Sequence, residues 1–205
     1  MRSTAKPYRG AGCSYRTVGH YDGNVSRKAL IDHLRAHSLF KDGPYTLRSG
    51  LKSDWYLDAR LTTMSGAGAN LVGAAVLEVL DPEVEALGGM TMGADPIALA
   101  VAMVANHHQR KMDAFSVRKT TKQYGVGGRL VGPVSAGMTV AILDDTITTG
   151  GAALEAAEAA VAAGLSVVQA IALVDRSDGR AADAFAEQSI PYVALLLPKD
   201  LGIKK

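Results

Sequence analysis

Five strand-length apolar runs dominate the chain, at 85–90, 113–118, 138–143, 166–174 and 191–197. Their Val, Ile, Leu and Ala positions are largely consecutive rather than alternating, the pattern of strands covered on both faces. Helix-length segments stand between several of them. Residues 66–80 read as a small-residue helix ending at Asp81-Pro82, a second helix runs from about 96 to 106, and an alanine-rich third, 152–163, stops at Gly164. Strands and helices in this order predict an α/β fold, a parallel sheet with helices on both faces.

The first third of the chain reads differently. Ser26 can cap a helix running to His37, with Leu30, Ile31 and Leu34 on one face. YTLRSGLKSDWYLDAR, 45–60, reads as a hairpin. Residues 1–25 hold Arg2, Lys6, Arg9 and Arg16 against one acid, Asp22, and are expected to form an extended, mobile arm. The expected organisation is an arm over 1–25, a helix and hairpin over 26–64, and the main unit over 65–205. A net charge of +2 gives no reason to expect a nucleic-acid partner. No apolar run nears the roughly 20 residues of a membrane helix. A lone Cys13 and no signal-peptide core fit a cytoplasmic location.

The stretch TVAILDDTITTGGA, 139–152, carries the chemistry. An apolar strand ends on two adjacent acids, Asp144 and Asp145, and a turn over 144–151 leads into a helix. Ligands of open parallel sheets bind beyond the carboxyl ends of the strands. A helix N-terminus there offers free N–H groups and partial positive charge. Gly150 and Gly151 let an anion come close to the backbone, and Thr148 and Thr149 add hydroxyls. No Gly-Lys-Ser/Thr follows, so this is not a Walker loop. Two adjacent carboxylates need a polyol, a metal or a cation beside them. A ribose 5-phosphate answers both demands, its diol at the acids and its phosphate at the Thr/Gly turn. An ordinary β-to-α turn capped by Asp explains one acid and not the rest of the run.

ILDDTITTGGA resembles the ribose-phosphate signature of type I phosphoribosyltransferases, which use 5-phosphoribosyl 1-pyrophosphate (PRPP) and magnesium. Between Ala114 and Leu143 there is no acid, whereas Arg118, Lys119, Lys122 and Arg129 occur among five glycines. Such a run is commonly a solvated face; beside a phosphate cradle it reads better as a mobile cationic lid. FSVRKTTKQYGVGGRLVG resembles the catalytic loop of orotate phosphoribosyltransferases, Arg-Lys-x-x-Lys-x-His-Gly, with Tyr124 where that family has His. Together with GGMTMGADPIA at 88–98, the likeness covers most of residues 38–203.

The resemblance implies a type I phosphoribosyltransferase-like core, a small N-terminal hood over 26–64 and a flexible catalytic loop. It implies that Arg118, Lys119 and Lys122 bind pyrophosphate, with Tyr124 beside them, and that the loop is donated across a homodimer. Lys122, Asp144 and Asp145 are the expected catalytic residues. PRPP contacts are expected at Asp144, Asp145, Thr146, Ile147, Thr148, Thr149, Gly150, Gly151 and Ala152, and at Arg48 in the family's Thr-Leu-Lys-Ser-Gly hairpin. Tyr56, Leu57, Thr148 and Arg176 are expected around orotate. Gly93 stands where many members place a Lys. Mg2+ is expected to arrive on PRPP, with Asp95 a candidate to reach it through water. The implied reaction turns orotate and PRPP into orotidine 5′-monophosphate and pyrophosphate, in pyrimidine (UMP) biosynthesis. Two alternatives stay open: a transferase for another base, and a non-catalytic PRPP-sensing regulator.

Overall fold

The computed structural model describes residues 27–46, 52–122 and 128–203, with the backbone alone at 121 and 122. The expected arm at 1–25, Arg48 and Tyr124 lie outside the described residues.

Helix α1 (Arg27–His37) buries Leu30 and Leu34, one turn apart on a single face. Strands β1 (Leu39–Phe40), β2 (Tyr45–Thr46), β3 (Lys52–Ser53) and β4 (Tyr56–Leu57) follow. The hairpin expected at 45–60 is two nested antiparallel ladders. β2 pairs with β3, and β1 closes outside them on β4 through Leu39↔Leu57 and Phe40↔Tyr56. A short helix α2 (Arg60–Thr63) leads into α3 (Gly66–Val79), which Ser65 caps by accepting the Gly68 N–H at 3.1 Å.

The main sheet begins with β5 (Ala86–Met90), followed by α4 (Ala94–His107), β6 (Asp113–Lys122), β7 (Gly128–Val131), β8 (Thr139–Ile147), α5 (Gly151–Ala162), β9 (Ser166–Asp175), α6 (Arg180–Glu187) and β10 (Tyr192–Leu196). A 3₁₀ turn spans Pro198–Leu201. The strand order is β10-β9-β8-β5-β6-β7, parallel throughout except for the antiparallel edge strand β7.

Alternation along each strand divides the core. Ala141 and Leu143 of β8, with Ile171 and Leu173 of β9, join α1, α3 and α4 on one face. Val140 and Ile142, with Ala170 and Ala172, join α5 and α6 on the other. Each fully buried Leu or Ile contributes about 1.5–3 kcal/mol, so both faces are needed to hold the sheet. Close approach of the neighbouring strands β6 and β8 explains the glycines of β5. A Cβ on Gly88 would lie 2.0 Å from the Phe115 carbonyl oxygen, and one on Gly89 2.1 Å from that of Leu143.

Three expectations are corrected. The strand expected to stop at 143 continues through both acids to Ile147, so the turn is shorter than 144–151. The strand expected over 113–118 extends to Lys122 and is answered by β7, so much of the expected loop is a two-stranded ribbon. Helix α6 was not expected at all.

Candidate active site

β8, β9 and β5 deliver their carboxyl ends to one place. The dyad is still within the ladder: Asp144 stands opposite Ala172, Thr146 opposite Val174 and Ile147 opposite Asp175. The dyad is tied down locally as well. The Asp145 N–H donates to Asp144 Oδ1 at 3.0 Å and the Thr146 N–H to Asp145 Oδ1 at 2.7 Å. Burial pushes the Asp144 carboxyl up to about 7, and the neighbouring Asp145 charge adds to it. Burial raises Asp145 too, while the Thr146 N–H and then the Arg60 guanidinium pull it back. Asp144 therefore keeps its proton to a higher pH than a free carboxyl does, and Asp145 is shifted in the same direction.

Gly93 lies against these acids. A Cβ there would come 2.9 Å from Asp145 Oδ1 and 3.4 Å from Asp144 Oδ1. With the dyad so placed, a longer residue at 93 must push the carboxylates aside. Asp95, in the first turn of α4, accepts the Thr91 hydroxyl at 2.6 Å on one oxygen and the Ser116 hydroxyl at 2.6 Å on the other. It braces the 91–93 turn against α4 and β6. Among the described residues, no three His, Cys, Asp or Glu side chains gather as a metal site.

Past the dyad, Thr148 and Thr149 are exposed and Gly150 turns the chain at φ +87° into α5. No side chain caps α5; its first residue, Gly151, has only a 3.5 Å contact from its N–H to Thr149 Oγ1. The free N–H groups expected of an anion cradle are therefore present. Ala152 is exposed beside them, whereas the Ile147 side chain is buried in the core. Arg180 buttresses the turn from α6, donating to the Thr148 carbonyl at 3.2 Å and to the Ser177 carbonyl at 2.9 Å.

Arg176 follows β9, its N–H donating to the Ile147 carbonyl at 2.9 Å. Its guanidinium stands 4.3 Å over the Trp55 ring. Among the described residues no carboxylate pairs with it. Trp55 of the 45–60 hairpin thus meets the end of β9 through a cation stacked on its indole. Tyr56 is exposed beside Phe40 and Tyr45, at ring distances of 6.4 and 5.8 Å, while Leu57 is buried in the core.

The cations of the expected loop sit on β6: Arg118 is half-buried and Lys119 exposed, and the Lys122 backbone pairs with Gly128. Arg129 is held differently, by the Glu155 carboxylate of α5 and the Arg118 carbonyl.

Sequence reading missed Arg60. It grips Asp58 in a bidentate fork through Nε and Nη2, at 2.8 and 2.9 Å, and its charge acts on Asp145; Asp58 and Arg60 also line an open cleft of about 400 Å³. Leu61, Met64, Ser65 and Met92 complete that cleft. The spacing Asp58-x-Arg60 was the available signal.

No family model matches the chain. An orotate phosphoribosyltransferase of Streptomyces avermitilis is 40% identical over 178 residues, covering 86% of this chain and 97% of the relative. One from Thermosynechococcus vestitus is 41% identical over 169 residues, covering 82% and 89%. Among solved structures, the Mycobacterium tuberculosis orotate phosphoribosyltransferase in complex with PRPP matches with a TM-score of 0.73 at 33% identity, covering 86% of this chain and 99% of that one. An adenine phosphoribosyltransferase of Leishmania donovani, at 14% identity and a TM-score of 0.59, shares the fold.

Proposed function

The chain belongs to the orotate phosphoribosyltransferase family, and from that premise we propose how its own residues divide the work. The enzyme transfers ribose 5-phosphate from PRPP to orotate, giving orotidine 5′-monophosphate and pyrophosphate in pyrimidine biosynthesis.

Asp144 and Asp145 accept the ribose hydroxyls, and their negative charge favours the positive charge that develops on the sugar as the C1–O bond breaks. The uncapped N-terminus of α5, with Thr148, Thr149, Gly150 and Gly151, takes the 5-phosphate. Arg118, Lys119 and Lys122 offset the charge of the departing pyrophosphate. Orotate is already an anion at neutral pH, so no strong protein base is required. Its carboxylate suits the guanidinium of Arg176, which Trp55 holds in place and which no carboxylate pairs among the described residues. The observation that carries this reading is the carboxylate pair standing directly before an uncapped helix N-terminus.

Mg2+ fits this donor set as a cation carried on PRPP oxygens, since the chain supplies carboxylates beside them and, among the described residues, no cage of its own. When bound it neutralises pyrophosphate charge. Both oxygens of Asp95 already serve Thr91 and Ser116, so any reach towards that ion would be through water.

The homodimer is part of the proposal. Leu61, Met64, Met92, Leu99 and Met103 are exposed on α2, the 91–93 turn and α4, with Met64 63% and Met103 73% exposed. An apolar set of this kind beside the site suits a second copy, which could then lend its loop. Residues 26–64 serve as the hood. No helix among the described residues is long and apolar enough to cross a membrane, and we place the enzyme in the cytoplasm.

The test is the fall in orotate absorbance with PRPP and Mg2+, against adenine, hypoxanthine and uracil. Turnover of orotate alone is expected. Turnover of a neutral base in its place would favour the other-base reading, and PRPP binding without turnover would favour a sensor.

A further inference from the structure

The β6–β7 ribbon is irregular where its cations lie. Val117 pairs with Leu130 and Lys122 with Gly128, so Arg118, Lys119, Thr120 and Thr121 on one strand stand against Arg129 alone on the other. Such an outsized bulge leaves its backbone without ladder partners and re-aims the side chains it carries. The Arg129 side chain fills the gap. Its Nε–H donates to the Arg118 carbonyl at 2.8 Å. One Nη2 reaches Glu155 Oε1 of α5 at 2.5 Å and approaches the Met90 sulfur at 3.8 Å.

Those three contacts join the cationic bulge to two elements of the main sheet unit. Arg118 opens the cationic bulge. Glu155 lies one turn into the helix whose N-terminus forms the phosphate cradle. Met90 ends β5, directly before the 91–93 turn that abuts the acid pair. An ion pair as exposed as Arg129–Glu155 holds little by itself. Its consequence here is geometric, because the carboxylate fixes the fork that grips the bulge carbonyl.

We infer that Arg129 is a positioning residue, clamping the Arg118–Thr121 bulge to α5 so that Arg118 and Lys119 are aimed at the leaving pyrophosphate. This rests on the assignment of those two cations to pyrophosphate. Arg129 touches neither substrate; it sets where the cations stand.

The experiment compares Arg129→Ala, Arg129→Lys and Glu155→Gln in the full chain with Arg118→Ala and Lys119→Ala. Steady-state rates are measured alongside thermal melts and hydrogen exchange over residues 118–121. Misplacing a charge by about 1 Å can cost on the order of a hundredfold. Arg129→Ala is therefore expected to lower kcat about tenfold or more, with KM for orotate within about twofold and faster exchange at 118–121. Lysine lacks the fork and is expected to recover only part of the rate. Glu155→Gln, a half-exposed isostere, is expected to lower kcat about threefold or more with an unchanged melt. It decides the matter if Arg129→Ala fails to fold. Normal kcat in Glu155→Gln, or in a folded Arg129→Ala, overturns the clamp while Arg118→Ala and Lys119→Ala remain impaired. Full activity in those last two variants would instead overturn the pyrophosphate assignment.

Discussion

In the unfolded chain the Asp144 carboxyl ionises near its ordinary value of 3.8; in the fold, burial keeps a proton on it up to about pH 7. Between those values the folded state binds more protons than the unfolded one. Stability of the free enzyme must then fall as pH rises through this window, by an amount on the order of a few kcal/mol. Asp145 shifts in the same direction. Chemical denaturation at pH 5 and pH 8 should show wild type losing ground against Asp144→Asn; an unchanged difference would contradict the burial argument. Ribose hydroxyls and the charge on PRPP·Mg2+ favour ionised acids, so binding near pH 6.5 should release protons. Calorimetry in buffers of different ionisation enthalpy would read this directly. Gly93 belongs to the same scale. Gly93→Ala should weaken PRPP binding with little change in melting temperature, since its Cβ meets a carboxylate and not the core.

At the scale of elements, the cradle depends on Gly150 at φ +87°. The nearest atoms to a Cβ there belong to Ala181 at 3.6 Å, so a methyl group fits and only the backbone objects. Gly150→Ala should cost about 1–2 kcal/mol. That corresponds to a fall of roughly 2–8 °C in melting temperature, measurable by calorimetry. PRPP affinity should drop further than stability does, because the α5 N–H groups turn with the backbone. Elements also show where the sequence was legible. The sheet strands were, because unbroken apolar runs have few other uses. β8 was cut short because two acids look like a strand end, yet ladder pairing at Thr146 and Ile147 is indifferent to side-chain charge. The ribbon was read as loop because its glycines and cations hide a pairing that is itself irregular. The eight residues of α6 lack a side-chain cap, and their apolar face, Ala181, Ala182 and Phe185, spans little more than one turn.

For the whole molecule, the site borders an exposed apolar face and carries its cations on an edge ribbon. If two copies share sites, a mixture of Lys122→Ala and Asp144→Asn chains should regain activity that neither has alone, since hybrid dimers hold one intact site. Rates assayed before and after mixing decide this, and no recovery in confirmed hybrids would place each loop over its own cradle. The acid pair and the α5 turn could be read from the sequence because they are contiguous. Arg60 and Gly93 converge on it from distant segments, Gly93 through the pairing of β5 with β8 and Arg60 through the packing of α2 beside α3 and α4.

The continuation of β8 through its two acids has an implication for protein engineering. Sheet pairing crowds those charges whether or not a guest is present, so the empty protein carries a built-in discomfort. Selection for heat resistance alone will tend to remove it, and the hardiest survivors of such a screen are expected to be poor hosts for the sugar.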